Sequence, residues 1–240
     1  MDNAPIRRGM PTVHKKWNNN VAILSGDVMI IQAYQFINKL ELNCLSKVLD
    51  IFNNMAIKVC EGQQLDMDFE KKEDVNITDY LKMIEYKTAV LLATSLQIGS
   101  VVAGASEEEQ NHLYQFGVNI GLAFQLKDDL LDVFGSSEIM GKQIGGDILA
   151  NKKTFLYLKS MQIADQKNRD QLIYYYSINN KSHNKVDVVK NIFMELSVKK
   201  HTIDMMKAYY TKAMKHLNAI DCKNKAPLIS FSNKLMDRAY

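Results

Sequence analysis

The 240-residue chain has the composition of a globular protein, with 47% hydrophobic and 24% charged residues. Its 30 Lys and Arg residues against 27 Asp and Glu residues give a net charge of +3, which argues against nucleic-acid binding. The 3 cysteines lack metal-type spacing and are expected to be reduced thiols. With no signal-peptide pattern and no run of about 18 apolar residues, we expect a cytoplasmic protein without stable membrane insertion.

The first half of the chain predicts long helices after about twenty polar, irregular residues. The few prolines and the lack of alternating apolar and polar residues favour helices over strands. Helices are expected over 21–40 and 44–70. Thr78 is the expected N-cap of a third helix, whose apolar stripe runs to Val102 and which Gly104 ends.

A fourth helix is predicted from Ser106, which three glutamates follow, to about Phe134. A glycine-bearing loop comes next, and later helices are expected over 152–163, 166–178, 185–198, 200–219 and 227–239. Short connections and the absence of repeats predict one all-α domain over 1–240, a bundle of long helices around a deep central cavity.

The fourth helix carries an acidic face. Gln125, Asp128, Asp129 and Asp132 are spaced so that all four project from one side of a helix, within strongly apolar surroundings. Carboxylates held together in apolar surroundings need a counter-charge, and Mg²⁺ prefers oxygen ligands. The pattern therefore favours a magnesium site, with a solvated acidic patch on a surface helix as the alternative.

The sequence here resembles the trans-isoprenyl diphosphate synthases of the farnesyl and geranylgeranyl type. Phe124-Gln125 and the aspartates up to Asp132 are similar to the second aspartate-rich motif of that family. The other segments that match in order are Asp2 to Thr12 with its paired arginines, Gly26-Asp27, Lys87-Thr88, and the loop segments Gly141-Lys142, Gly146-Asp147-Ile148 and Asn151-Lys152. The likeness extends over the whole chain and implies the isoprenoid synthase fold.

One departure from the family pattern lies at the N-terminus. Asp2 stands where the last carboxylate of the first aspartate-rich motif belongs, and the helices that precede this motif in the family have no counterpart. The resemblance therefore implies a chain truncated at its N-terminus, which we expect to fold with impaired activity. The residues that set product length in the family precede Asp2, so product length is not predicted.

The resemblance implies a prenyltransferase of isoprenoid biosynthesis that condenses isopentenyl diphosphate with an allylic diphosphate. The expected ligands of Mg²⁺ are Asp2, Asp128, Asp129 and Asp132, and the expected catalytic residues are Asp128 and Lys87. The expected substrate-binding residues are Arg7, Arg8, Lys87, Thr88, Gln125, Lys142 and Lys152. The family also commonly pairs its subunits through long helices, which implies a homodimer.

Other interpretations stay open for the sequence alone. The paired arginines could lie in a solvated loop, the loop lysines could be surface residues, and Thr88 also fits the core stripe of its helix. Loss of part of the first motif suggests, as the alternative function, a non-catalytic homologous subunit that partners an active synthase. A related terpene cyclase is disfavoured, because the arginine pair and the Lys142 loop indicate a second diphosphate site.

Overall fold

The computed structural model describes residues 4–7, 9–72, 74–135, 144–177, 184–222 and 224–237. Most of them are helical, as predicted. The chain divides into two compact units, residues 1–50 and 51–240, which are treated in turn. The prediction of a single domain stays a prediction.

The first unit opens with a small antiparallel hairpin where irregular chain was expected. Strands β1 (Ile6–Arg7) and β2 (Met10–Pro11) pair across Gly9, whose φ of +74° lies in the left-handed region that glycine adopts readily. Helix α1 (Val13–Lys16) follows. Helix α2 (Asn19–Ile37) begins at Asn18, whose side chain accepts a hydrogen bond from the backbone N–H of Val21 and so caps it.

Helix α2 buries none of its residues within the chain. It is apolar on all sides, and several of its large side chains are more than half exposed, among them Ile23, Leu24, Met29 and Phe36. In the part of the chain that the structure describes, α2 is the one helix whose length and composition would allow it to cross a membrane. The expectation that no apolar run is long enough for this is therefore wrong.

Helix α3 begins in the first unit and continues into the second. The remaining helical elements are, in chain order, α3 (Leu42–Phe69), α4 (Ile77–Ile84), a π-helical turn (Glu85–Ala89), α5 (Val90–Val102), α6 (Glu107–Phe134), α7 (Gly146–Leu149), α8 (Phe155–Ile163), α9 (Gln166–Ser177), α10 (Lys185–Glu195), α11 (Val198–Ala219) and α12 (Ala226–Met236). Most of the predicted helices lie within a few residues of these bounds, whereas α7 and the π-helical turn were not anticipated.

The caps of two helices test the sequence analysis directly. Ser106 forms the predicted N-terminal capping box of α6 with Glu109, and Gly104 ends α5 with a φ of +73°. Thr78, the expected cap of α4, instead lies inside that helix. The cap is Asn76, whose side chain accepts from the N–H of Asp79 while the Asp79 carboxylate accepts from the N–H of Asn76.

Helix α6 is the centre of the second unit. Its Leu122, Leu126 and Leu130 belong to the main core cluster, with α4, α8, α10 and α11 contributing the surrounding residues. Two glycines of α6 allow a very close helix crossing, because a Cβ on Gly121 would lie 2.5 Å from the Cα of Ala89. Gly117 approaches the next turn of α5 in the same way. This crossing sets the distance between α6 and the segment that carries Lys87 and Thr88.

Candidate active site

The π-helical turn brings Lys87 and Thr88 to the side of α6 that bears the aspartates. Thr88 donates a hydrogen bond through Oγ1 to Oε1 of Gln125, at 3.0 Å. Lys87 Nζ lies 2.7 Å from Oδ2 of Asp66 on α3, and both side chains are largely buried. Gly62 on α3 allows the approach, because a Cβ there would collide with the backbone of Lys87. π-helical turns occur frequently at functional sites, since they redirect side chains within a helix.

Asp129 is the most enclosed carboxylate of the α6 face, with an exposed fraction of 4%. Its Oδ1 accepts a hydrogen bond from Nε2 of Gln125 at 3.0 Å, and its Oδ2 accepts one from the hydroxyl of Tyr80. Burial raises the pKa of Asp129 well above its usual range, and the negative charge of Asp147 adds to this. A solvated acidic patch does not describe this residue, and that alternative is wrong for it.

Asp132 faces the segment that follows the loop after α6. Its Oδ2 accepts a hydrogen bond from the backbone N–H of Asp147 at 3.0 Å, and a Cβ on Gly146 would lie 3.2 Å from its Oδ1. Burial and the charge of Asp147 raise the pKa of Asp132 to about 7. Asp147 in turn lies 3.5 Å from Nζ of Lys152. Burial raises the pKa of Asp147 as well, and Lys152 only partly offsets this.

These carboxylates form one electrostatic group. The charge of Asp128 raises the pKa of Asp129, Asp132 and Asp147, and Asp66 raises that of Asp147 too. No three metal-type side chains within the described ranges already surround a common point as ligands. The group nevertheless fits a divalent cation, because Asp128, Asp132 and Asp147 are only half-buried and their mutual repulsion would fall on binding one.

The structure brings together most of the residues that the sequence analysis assigned to the site. Those within the group or bonded to its members are Lys87, Thr88, Gln125, Asp128, Asp129, Asp132 and Lys152. Arg7 lies in β1 of the first unit. Asp2, Arg8 and Lys142 lie outside the described residues, so their assignments stay predictions, as does metal binding by Asp129.

Sequence reasoning missed three members of this group. Asp147 was noticed only as part of a matching segment, and Asp66 and Tyr80 were not noticed at all. Tyr80 carried a usable signal, because it precedes Lys87 by two helical turns in an apolar stripe that could have prompted a search for its hydroxyl partner. Asp66 carried none, since a single carboxylate on a long helix has no characteristic spacing.

Comparisons with known proteins show the family to which the chain belongs. The family model described as polyprenyl synthetase matches residues 1–196. The geranylgeranyl diphosphate synthase of Sulfolobus acidocaldarius is 34% identical over 235 residues, which cover 95% of this chain and 70% of that protein. A short chain isoprenyl diphosphate synthase of Methanothermobacter thermautotrophicus is 40% identical over 174 residues, which cover 72% of this chain and 54% of that protein.

Solved structures extend the agreement to the fold. A crystal structure of a geranylgeranyl pyrophosphate synthase superposes with a TM-score of 0.93 at 41% identity, covering all of this chain and 75% of the other. The geranylgeranyl pyrophosphate synthetase of Pyrococcus horikoshii gives a TM-score of 0.90 at 29% identity, covering 99% of this chain and 73% of the other. The predicted all-α isoprenoid synthase fold is confirmed. The chain belongs to the polyprenyl synthetase family of prenyl diphosphate synthases.

Proposed function

We propose that this member of the family condenses isopentenyl diphosphate with an allylic diphosphate by magnesium-assisted ionisation. The observation that carries the proposal is the group of half-buried carboxylates at 128, 132 and 147, with Lys87 and Lys152 each held by an acidic partner beside it. Repelling carboxylates suit a divalent cation, and lysines at their edge suit diphosphate oxygens. A cluster that contains both carboxylates and lysines therefore suits a metal diphosphate better than a cluster with only one kind of charge.

The side chains of the group would have different roles according to their charge and position. Asp128, Asp132 and Asp147 would hold Mg²⁺, whose chemistry is to withdraw charge onto the departing diphosphate. Lys87 and Lys152 would turn from Asp66 and Asp147 towards phosphate oxygens, because a diphosphate offers them a greater negative charge. Each ammonium already lies within ion-pair distance of a carboxylate, and the new bonds to phosphate oxygens would replace those ion pairs.

The hydrogen-bonded members would fix the geometry. Thr88, Gln125 and Asp129 form a continuous hydrogen-bonded chain that ends at the Tyr80 hydroxyl. This chain ties the π-helical turn to α6, so the lysine of the turn and the aspartates of the helix keep a constant separation. Positioning of this kind contributes substantially to catalysis when the reacting groups must be held within a fraction of an ångström.

The activity is tested with labelled isopentenyl diphosphate, an allylic diphosphate and Mg²⁺, separating the products by chain length. Longer prenyl diphosphates are expected, and Asp128→Ala should lower turnover by several orders of magnitude. Asp204→Ala, which removes an exposed carboxylate of α11, is the matched control and should leave turnover unchanged. Failure to form product while both substrates bind would count against the proposal.

We also propose that a second copy of the chain covers α2. The helix exposes apolar side chains on every side, yet Asp27 stands at its middle and is costly to place in the core of a bilayer. A protein interface can leave such a carboxylate at its rim, and the resemblance to the family implies subunits paired through long helices. These points favour a homodimer over insertion into lipid.

Light scattering during size exclusion tests the dimer. The wild-type chain should elute with the mass of two copies, and Met29→Glu should shift it towards one copy, because the charge would be buried at the interface. Ile173→Glu places the same charge on the half-exposed apolar surface of α9 and should leave the mass unchanged. A wild-type monomer, or a Met29→Glu variant that still pairs, would contradict the assignment.

A further inference from the structure

Lys185 is a fully buried cation that the reaction described above does not use. It is the first residue of α10, and its Nζ donates a hydrogen bond of 2.5 Å to Oδ1 of Asn151. The ammonium also lies 5.5 Å from the ring centre of Tyr176. No carboxylate within the described parts of the chain forms an ion pair with it. A buried ammonium is costly unless it is bonded, so the bond to Asn151 is the main compensation visible here.

Asn151 occupies an unusual backbone conformation. Its φ of +56° lies in the left-handed region, which asparagine tolerates better than most residues. The chain turns here, directly after α7, so that the N–H of Lys152 donates to the carbonyl oxygen of Asp147 at 2.9 Å. The turn at 151 thus determines how the ammonium of Lys152 meets the carboxylate of Asp147.

The next residue of α10 contacts the other end of the same segment. A Cβ on Gly145 would lie 2.5 Å from Cγ1 of Val186, so the Val186 side chain packs directly against this glycine. Lys185 and Val186 therefore touch both ends of residues 145–151, the segment that carries Asp147. We call these two contacts the α10 clamp.

We propose that Lys185 is a positioning residue, which holds Asn151 in its turn and thereby orients Asp147 and Lys152 towards a bound metal diphosphate. The catalytic meaning of this assignment rests on the function proposed above, whereas the clamp itself does not. Lys185 acts through Asn151 and touches neither substrate nor metal. Groups that support a metal ligand from behind typically change metal affinity or activity by about 10- to 100-fold when they are removed.

The test compares Lys185→Met, which shortens the side chain by one atom and removes its charge and donors, with Lys190→Met on the same helix. Lys190 lies over the ring of Phe134, on the same helix, so it is the matched control. Hydrogen exchange of peptides covering 144–152 is measured without any ligand. Lys185→Met should speed exchange of the Lys152 amide by roughly tenfold, and Lys190→Met should leave it unchanged.

A second measurement titrates Mg²⁺ with inorganic pyrophosphate by calorimetry. Lys185→Met should weaken the affinity by about tenfold, and Asn151→Asp, which offers the ammonium a charged acceptor, should keep it at or above the wild-type value. If Lys185→Met fails to fold, Asn151→Gly decides instead, because glycine accepts the left-handed turn but lacks the acceptor.

The outcomes separate the two proposals. The deciding variant is Lys185→Met, or Asn151→Gly if Lys185→Met fails to fold. If its Lys152 amide exchanges hydrogen at the wild-type rate, the inference is overturned, whether or not the chain binds a metal diphosphate. Faster exchange with unchanged affinity would overturn the role in orienting the site. A wild-type chain that does not bind Mg²⁺ with pyrophosphate would instead contradict the proposed function, and the exchange measurement would still judge the clamp.

Discussion

The crossing of α6 with the π-helical turn gives the sharpest test of the structure, through Gly121→Ala. The added Cβ would lie 2.5 Å from the Cα and 2.6 Å from the Cβ of Ala89, whereas ordinary contacts begin at 3.4 Å. The nearest obstacle is backbone, so no rotation of a side chain can relieve the overlap. The two helices would have to separate by about 1 Å in a closely packed interior.

A separation of that size has consequences for stability and for the site. Overpacking of this kind costs about 1–3 kcal/mol of unfolding free energy, which at roughly 2–4 °C per kcal/mol lowers the melting temperature by about 5 °C. The bond of 3.0 Å between Thr88 and Gln125 would lengthen to about 4 Å and be lost. Since displacement by about 1 Å can cost on the order of 100-fold in rate, kcat should fall by one to two orders of magnitude.

Calorimetric melting and steady-state turnover measure the two effects separately. The control is Gly99→Ala in α5, an exposed helical glycine whose added Cβ meets nothing within 4 Å. It should stabilise the chain by about 0.5–1 kcal/mol, because alanine loses less backbone entropy than glycine in a helix. If Gly121→Ala melts and turns over like the wild type, the crossing is looser than the structure describes and the reasoning fails.

Three further predictions concern charge and capping. Asp132, with a pKa of about 7, must lose its proton to bind a cation, so Mg²⁺ affinity measured by calorimetry should rise between about pH 6 and 8, and Asp132→Asn should flatten that rise. Burial and His112, 3.1 Å away between Nδ1 atoms, lower the pKa of His216 below 6.5. Protonation therefore favours the unfolded chain, so the melting temperature should fall as pH drops below 6.5, less so in His216→Gln. Ser106→Ala removes the cap that Glu109 completes and should cost about 1 kcal/mol in denaturant unfolding, while Ser177→Ala should cost less.

The helices could be predicted because their signals are local. Apolar spacing and the Ser106 cap placed α6 correctly over its whole length. Thr78 and Asn76 are both capping residues, and the choice depends on which of them has an acidic partner three residues later, a pairing that only Asn76 has in Asp79. The apolar character of α2 was underestimated, because Ser25, Asp27 and two glutamines interrupt its apolar residues, although the helix as a whole keeps a high mean hydropathy.

The candidate site shows the same difference between residues with local signals in the sequence and residues without them. The face of α6 followed from spacing within one helix, whereas Asp66 and Tyr80 join it from helices that sequence places 49 or more residues away from Asp129. The π-helical turn, like Asp66, could not be predicted from the sequence, since one inserted residue leaves no mark on an apolar stripe. Long-range partners and backbone irregularities depend on how the helices pack, and the residue pattern of a single helix does not predict that packing.

The three aspartates of α6 are not equivalent. Asp129 has both oxygens committed to Tyr80 and Gln125 and is almost entirely enclosed, so drawing it towards a cation would break bonds that link α4 to α6. Asp128 and Asp132 are half-buried and their repulsion is only partly compensated. On the function proposed above, the sequence motif would therefore combine two tasks, because Asp129 holds the helix in place while Asp128 and Asp132 remain available to a cation. If all three aspartates bound the cation, α6 would lose the hydrogen bond by which the Tyr80 hydroxyl links α4 to it.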